Sequence, residues 1–366
     1  MSRRHDIIVW GITVLAIAAL LLSGYGGWLS PSRFGAMVAL AVLAYPAIVC
    51  ASVLLSVIWV IGRQWKCALA VALAIACTWP SLCATFPVSL PESDVDRSRT
   101  FKVMSYNVEA FSQRLWADTT QMHPALRVIL DEDADFVILV QPVTYGLGYD
   151  ELKSVNPWLS ELDRQYPYRT HSRYDNVDLL SKHPFRAVPL HPPGISNRYF
   201  PYVIKCVNRY AFDIHLPDNR QLRLVGAYMT SFTLYDAHRR SELDSVGSNA
   251  HSLANIYRKF DKAFSNRERT SASLRDSLDT SPANVILCTD LNDVPQSYAY
   301  RTIVGDDLRD AFRECHTGYL STFNDHHLPF HIDHILYRGK MRAVAFKRIS
   351  SSASDHYPIV ATFEWQ

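Results

Sequence analysis

The chain has 366 residues, 48% of them hydrophobic, enough for one large core with an appendage. It has 37 basic and 35 acidic residues and a formal net charge of +2, which excludes the bulk basicity of a general nucleic-acid binder. The seven cysteines are scattered, several of them in apolar segments, and do not form a disulfide framework.

The first 90 residues read differently from the rest. Residues 7–24 form an uncharged apolar run of spanning length, 35–61 a second, and 67–86 a third that Pro80 interrupts. A cleaved signal peptide explains the first run but not three in succession. The pattern therefore predicts a membrane region over 1–90 with three transmembrane helices. Arg3 and Arg4 precede the first span, Arg63 and Lys66 separate the second and third, and Arg33 alone lies in the first loop. Basic loops favour the cytoplasmic side, which puts the N-terminus inside and the remainder outside. The expectation is an integral protein of the cell or inner membrane, held in the lipid bilayer, with an extracytoplasmic soluble domain. No span carries Asp, Glu, Lys or Arg in its middle, which argues against transport.

A polar linker over 91–100 leads into a soluble domain at 101–366. Strand patterns cover 101–108, 135–141, 176–181, 202–207, 211–215, 222–229, 284–290, 331–337 and 357–365. Helical spacing covers 122–132, and a long polar segment with helical spacing covers 237–278. Strands outnumber helices without regular alternation, which predicts an α/β sandwich of two sheets with helices outside. In the long segment Arg258, Lys259, Lys262, Arg267, Arg269 and Arg275 are mixed with Asp261, Glu268, Asp276 and Asp279. That mixture reads as a solvated helix face.

The chemistry concentrates at predicted strand ends. Ser105-Tyr106-Asn107, Gln141, Ala227-Tyr228, Thr289-Asp290-Leu291-Asn292-Asp293, Ile332-Asp333-His334 and Ser354-Asp355-His356 follow in that order. An Asp and a His with a supporting Asp suit metal-assisted attack of water on a phosphate ester. Each motif alone has an ordinary reading: Asn107 as a turn residue, Tyr228 as core, Asp355-His356 as a polar pair before an edge strand. His326, His327, His331 and His334 suggest zinc, but they lack ordered ligand spacing and a nearby cysteine pair.

Taken in order, these motifs resemble the endonuclease/exonuclease/phosphatase superfamily, which includes abasic-site endonucleases, DNase I and sphingomyelinases. The resemblance covers roughly residues 100–366. It implies a four-layered α/β sandwich, two packed mixed sheets flanked by helices, here preceded by transmembrane helices. It also implies phosphodiester hydrolysis by an activated water, with magnesium as the usual ion and manganese as a substitute. By resemblance, His356 acts on the water or steadies the phosphate, and Asp333 orients it. Asp290 positions or deprotonates the water, Asn292 donates to a phosphate oxygen, and Tyr228 touches the phosphate. Asn107, Gln141 and Asp355 stand where the family places groups around the metal.

One position departs from the family pattern. Relatives carry a glutamate as principal metal ligand where this chain has Gln141, followed by Pro142. A unit charge pair about 4 Å apart is worth roughly 4 kcal/mol at an effective dielectric near 20, and a divalent ion gains about twice that. Glu109 is a candidate substitute, and Thr289 replaces the usual glycine. Three readings follow: a membrane-anchored phosphodiesterase acting on nucleic acid, nucleotide or phospholipid headgroup, an impaired relative that binds a ligand or protein, or a membrane transporter or assembly protein whose soluble domain is only structural. No obligate protein partner is expected.

Overall fold

The computed structural model describes residues 3–89, 94–109, 111, 120–142, 149–171, 176–190, 209–217, 220–232, 250–323 and 329–366. The helices are α1 (Arg3–Tyr25), α2 (Pro31–Phe34), α3 (Ala36–Leu43), α4 (Tyr45–Ile61), α5 (Trp65–Cys77), α6 (Trp79–Thr85), α7 (Pro124–Glu132), α8 (Tyr149–Val155), α9 (Leu159–Gln165), α10 (Ala250–Asp279), α11 (Tyr298–Val304) and α12 (Ala311–Cys315). The strands are β1 (Thr100–Asn107), β2 (Phe136–Val140), β3 (Tyr168–Arg169), β4 (Val177–Ser181), β5 (Phe185–Pro189), β6 (Arg209–His215), β7 (Gln221–Tyr228), β8 (Val285–Asp290), β9 (Arg309–Asp310), β10 (Asp333–Arg338), β11 (Met341–Arg348) and β12 (Ile359–Trp365). By contacts the chain forms two units. One comprises Met1–Phe86, Ser231–Ala272 and Asp293–Ile303, and the other Pro87–Thr230, Ser273–Asn292 and Val304–Gln366.

The second unit is the expected sandwich. One sheet runs β11-β12-β1-β2-β4-β3 and the other β5-β6-β7-β8-β10-β9. Each is mixed: β1 pairs with β2 and β7 with β8 in parallel, and the other ladders are antiparallel. Strand β2 shows why its sequence is apolar throughout. Phe136, Ile138 and Val140 enter the core between the sheets, while Val137 and Leu139 join the core under α7 and α9. Burying each such side chain contributes about 1.5–3 kcal/mol. Gly226 lets the sheets approach, since a Cβ there would meet Val177 Cγ1 at 2.3 Å. Amphipathic α7 buries Ala125, Leu126 and Ile129, and His123 caps it by accepting from the Ala125 N–H at 3.2 Å.

The sequence-derived strands fall within about two residues of those observed wherever residues are described. The strand expected at 202–207 lies outside the described residues, as do 237–249 of the expected long helix. Strands β3, β5, β9 and β11 carried no clear sequence signal. Two are only two residues long, and β11 is irregular between Ala343 and Ala345.

The first unit contains the apolar helices. Helix α1 is long and apolar enough to cross a membrane; the expected second and third spans are instead bent pairs, by 61° between α3 and α4 and 71° between α5 and α6. Pro46 and Pro80 sit in the first turn of α4 and α6, where a missing N–H costs nothing but the incoming helix cannot continue straight. Polar bonds hold the bends together: the Tyr45 hydroxyl pairs with Thr78 Oγ1 at 2.7 Å, and Ser81 Oγ donates to the Gly24 carbonyl at 2.5 Å. Among described residues, every exposed large apolar side chain except Val88, Val155, Tyr168 and Tyr257 lies between Ile7 and Trp79.

Helix α10 corrects one expectation. Arg267 is not on a solvated face: its side chain is 1% exposed, stacked at 4.2 and 4.5 Å on Phe232 and Phe264, with Nε 3.5 Å from Asp293. The apolar face of α10 (Phe260, Ala263, Phe264) accounts for that burial and was overshadowed by the charges.

In the sandwich unit Asp307 joins three elements. It accepts from Arg275 Nη1 at 2.7 Å and Arg338 Nη1 at 2.5 Å. Burial opposes its charge, but the two guanidiniums prevail and hold its carboxyl below the usual range. A depressed carboxyl contributes stability above its ordinary pKa and loses it as pH falls through the depressed value. Asp307→Asn should therefore cost about 1 kcal/mol at pH 7, a ceiling set by solvent screening. Thermal unfolding of variant and wild type should converge in acid.

Candidate active site

The two parallel pairs set the site. Strands β1 and β2 end together, β7 and β8 end together, and antiparallel β10 and β12 begin beside them. Asn107 closes β1, Gln141 follows β2, Tyr228 and Asp290 close β7 and β8, Asp333 opens β10, and Asp355-His356 precede β12. Tyr228 and Asp290 are register partners, as are Asp333 and Asp290.

Four of these side chains form one buried polar chain, hydrogen-bonded at both ends and joined in the middle by a longer ionic contact. His356 Nδ1 lies 2.8 Å from Asp333 Oδ2, and its Nε2 lies 3.7 Å from Asp290 Oδ2. Asn107 Nδ2 donates to Asp290 Oδ2 at 2.9 Å and to Gln141 Oε1 at 2.8 Å. Asp290, Asp333, His356 and Asn107 are each less than 5% exposed. Ligand atoms of Asp290, Asp333 and His356 all fall within 4.8 Å of one another. Among described residues no other His/Cys/Asp/Glu group does so, and His331 and His334, though buried with rings 5.0 Å apart, belong to none. His326 and His327 lie outside the described residues.

Burial sets the electrostatics. It pushes the Asp290 carboxyl up, against the pull of His356 and with help from Asp333. Burial also opposes a charged His356, but Asp333 and Asp290 outweigh it and raise the imidazole well above its ordinary value. Each group therefore favours the charged form of its partner, as expected of an opposite pair held in a buried site.

The remaining expected residues have specific places. Asn292 has φ +52, its N–H donates to Asp290 Oδ1 at 2.9 Å, and its Nδ2 donates to the Met229 carbonyl at 3.1 Å. Its amide is thus engaged with backbone. Gln141 also lies in the left-handed region, at φ +51, directly before Pro142. Asp355 is half-buried beside Ser354, and Tyr228 joins the core between the sheets. Glu109, also at positive φ, donates its N–H to Asn107 Oδ1 at 3.0 Å.

Two contributors were not singled out from the sequence, and a third, Ser354, was named only as part of its motif. Buried Thr322 accepts through Oγ1 from the Ile332 and Asp333 N–H groups at 2.9 and 3.0 Å, fixing where β10 begins. Phe323 sets its ring edge-to-face on His356 at 5.0 Å. Ser354 Oγ donates to the Asn107 carbonyl at 2.7 Å, tying the β12 approach to the end of β1. Thr322 and Phe323 lie in a loop without periodicity, so only the fold brings them to the site.

Two facing mixed sheets with a His and two Asp residues at one edge define a phosphoesterase-like fold. The sequence profile described as the Endonuclease/Exonuclease/phosphatase family matches residues 104–356, and the chain belongs to that family. A second profile, described as a domain of unknown function (DUF8431), matches residues 6–85. Among similar solved structures, an endonuclease/exonuclease/phosphatase from Beutenbergia cavernae is 18% identical, with 73% of this chain and 72% of that chain covered and a TM-score of 0.46. The human Nocturnin catalytic domain with bound sulfate is 15% identical over 75% and 96%, also at 0.46. Sphingomyelinase C from Streptomyces griseocarneus is 18% identical over 72% and 99%, at 0.44. No curated protein matches the chain.

Replacing Asp333 with Asn should remove the support of the His356 charge. In nitrogen-15 spectra of the full chain, the imidazole of Asp333→Asn should titrate at lower pH than in wild type. An unchanged titration would mean that Asp333 does not hold the histidine.

Proposed function

We propose that the chain is a membrane-anchored phosphodiesterase that uses a divalent ion and an activated water. The observation that carries this reading is the buried chain Asp333–His356–Asp290–Asn107 at the edge of both sheets. The N-terminal helices serve as the anchor, with the catalytic domain extracytoplasmic as the loop charges favour.

The roles follow from position and charge. Asp290, raised toward neutrality by burial, accepts the proton of the attacking water. His356, kept charged by Asp333, gives the phosphate a cationic hydrogen-bond donor through Nε2. Asn292 supplies a further donor once its amide leaves the Met229 carbonyl. Tyr228 borders the phosphate from β7.

The donor set fits a hard cation such as magnesium, and manganese as its substitute. Asp355 supplies a carboxylate, and Gln141 Oε1 keeps a lone pair beyond the one that accepts from Asn107. Asn107 Oδ1 completes the oxygens. Such an ion would neutralise charge developing on the phosphate. With an amide at 141, only one of these three donors is a carboxylate.

The substrate class is a phosphodiester: a phospholipid headgroup, a nucleotide or nucleic acid. A second reading, a binding module without turnover, is favoured by Gln141 and its closed amide pair with Asn107.

One assay separates them: hydrolysis of bis(4-nitrophenyl) phosphate by the full chain in detergent, with magnesium and then manganese, and Asp290→Ala as the blank. Wild-type turnover above the blank is expected; turnover confined to Gln141→Glu would establish the module. Independently of turnover, Gln141→Glu should bind manganese at least tenfold more tightly by paramagnetic resonance, since about 1.4 kcal/mol suffices for that factor. Equal affinity would remove residue 141 from the ion site.

A further inference from the structure

We propose that Gln296 and Gly27 are positioning residues for Asn292, so that the N-terminal helices set the geometry of the catalytic loop besides anchoring it. The role in catalysis rests on the phosphodiesterase reading above. The positioning itself does not.

The segment Asp293–Ile303 starts one peptide bond after Asn292 and belongs by its contacts to the helical unit. Its grip there is polar and buried. Gln296 is fully buried, donates through Nε2 to the Val42 carbonyl at 2.9 Å, and sets Oε1 3.3 Å from Thr85 Oγ1, whose one proton is shared with the Ser81 carbonyl at 2.8 Å. Val42 lies in the last turn of α3, where carbonyls lack full helical partners, and Gln296 supplies a side-chain donor there. Gly27 packs its backbone against that of Gln296: a Cβ there would stand 1.9 Å from the Gln296 carbonyl oxygen. Backbone meets backbone, and no rotamer change relieves such a clash. Asp293 is itself held beside the buried Arg267.

Helix α10, which carries Arg267, is fastened to the same short helices. Glu268 accepts from Ser30 Oγ at 2.6 Å, Ser32 Oγ at 2.6 Å and Ser32 N–H at 2.8 Å. Asp261 accepts from the Ala36 N–H at 3.1 Å. These carboxylates cap the starts of α2 and α3. An anchor requires only apolar surface toward lipid. A matched set of buried polar bonds instead specifies one arrangement, because a buried donor or acceptor left unmet is costly. The residue just before this clamp, Asn292, sits at φ +52, in the left-handed region, and its own bonds run to Asp290 and the Met229 carbonyl, so the clamp bears on it through the Asn292–Asp293 peptide.

The test uses the full chain in detergent, with Gly27→Ala, Gln296→Ala and the milder Thr85→Val beside wild type. Three quantities are measured: kcat and KM on bis(4-nitrophenyl) phosphate, amide hydrogen exchange over 287–294 and 359–365, and thermal unfolding. The expected result is a fall in kcat of about tenfold for Gly27→Ala with KM unchanged, the signature of lost transition-state contact. Exchange should rise over 287–294 and stay at the wild-type rate over 359–365 in β12. Thr85→Val should move both in the same direction by less, and it decides the matter if Gly27→Ala fails to fold. Unchanged exchange over 287–294, or an equal rise in β12, would overturn the proposal. Wild-type turnover no greater than that of Asp290→Ala would sink the phosphodiesterase reading alone, and the exchange pattern would still decide the positioning.

Discussion

The His356 imidazole, pushed toward its charged form by two buried carboxylates, is itself buried, and the arrangement of the sandwich edge serves that pairing. An isolated charge of this kind would be neutralised rather than tolerated in an apolar interior. Here Asp333 lies 2.8 Å from one ring nitrogen and Asp290 faces the other. The pairing exists only because β10 and β8 run antiparallel with Asp333 opposite Asp290, while β12 delivers His356 from the other sheet. A one-residue slip in either ladder would turn one member of the cluster to the opposite face. Gly226 and Thr322 matter for the same reason, one by letting the sheets close and the other by fixing where β10 starts.

The amide at 141 fits this charge balance. Asn107 donates both to Asp290 and to Gln141, so the end of β2 adds an oxygen without adding a negative charge. A glutamate there would place a further carboxylate near Asp290 and Asp333, and a cation would have to offset it. The glutamine avoids that repulsion.

The helical unit follows a different logic. Its outer surface is apolar, but its inner fastenings are hydroxyls, amides and carboxylates: Tyr45 to Thr78, Ser81 to Gly24, Glu268 to Ser30 and Ser32, Gln296 to Val42. Proline bends expose helix ends, and these polar groups satisfy them. Arg267 contributes as a stacked, largely apolar body between two phenylalanines.

The sequence alone determined the strands that are apolar on both faces, such as β2 and β8, because their composition leaves no polar face to solvate. It also carried the identity and order of Asp290, Asn292, Asp333 and His356, because they cluster in short motifs at strand ends. It carried the apolar character of the first helices. It did not reveal that two of them bend, since Pro46 and Pro80 are compatible with either outcome until the packing is known. Nor did it reveal Thr322 and Phe323, which lack periodicity, or the burial of Arg267, whose charge outweighed the aromatic residues one turn away. Which oxygen meets which nitrogen was decided by tertiary structure alone, because the packing of one sheet on the other brings together residues more than 180 positions apart, as Asn107 on β1 and Asp290 on β8 are.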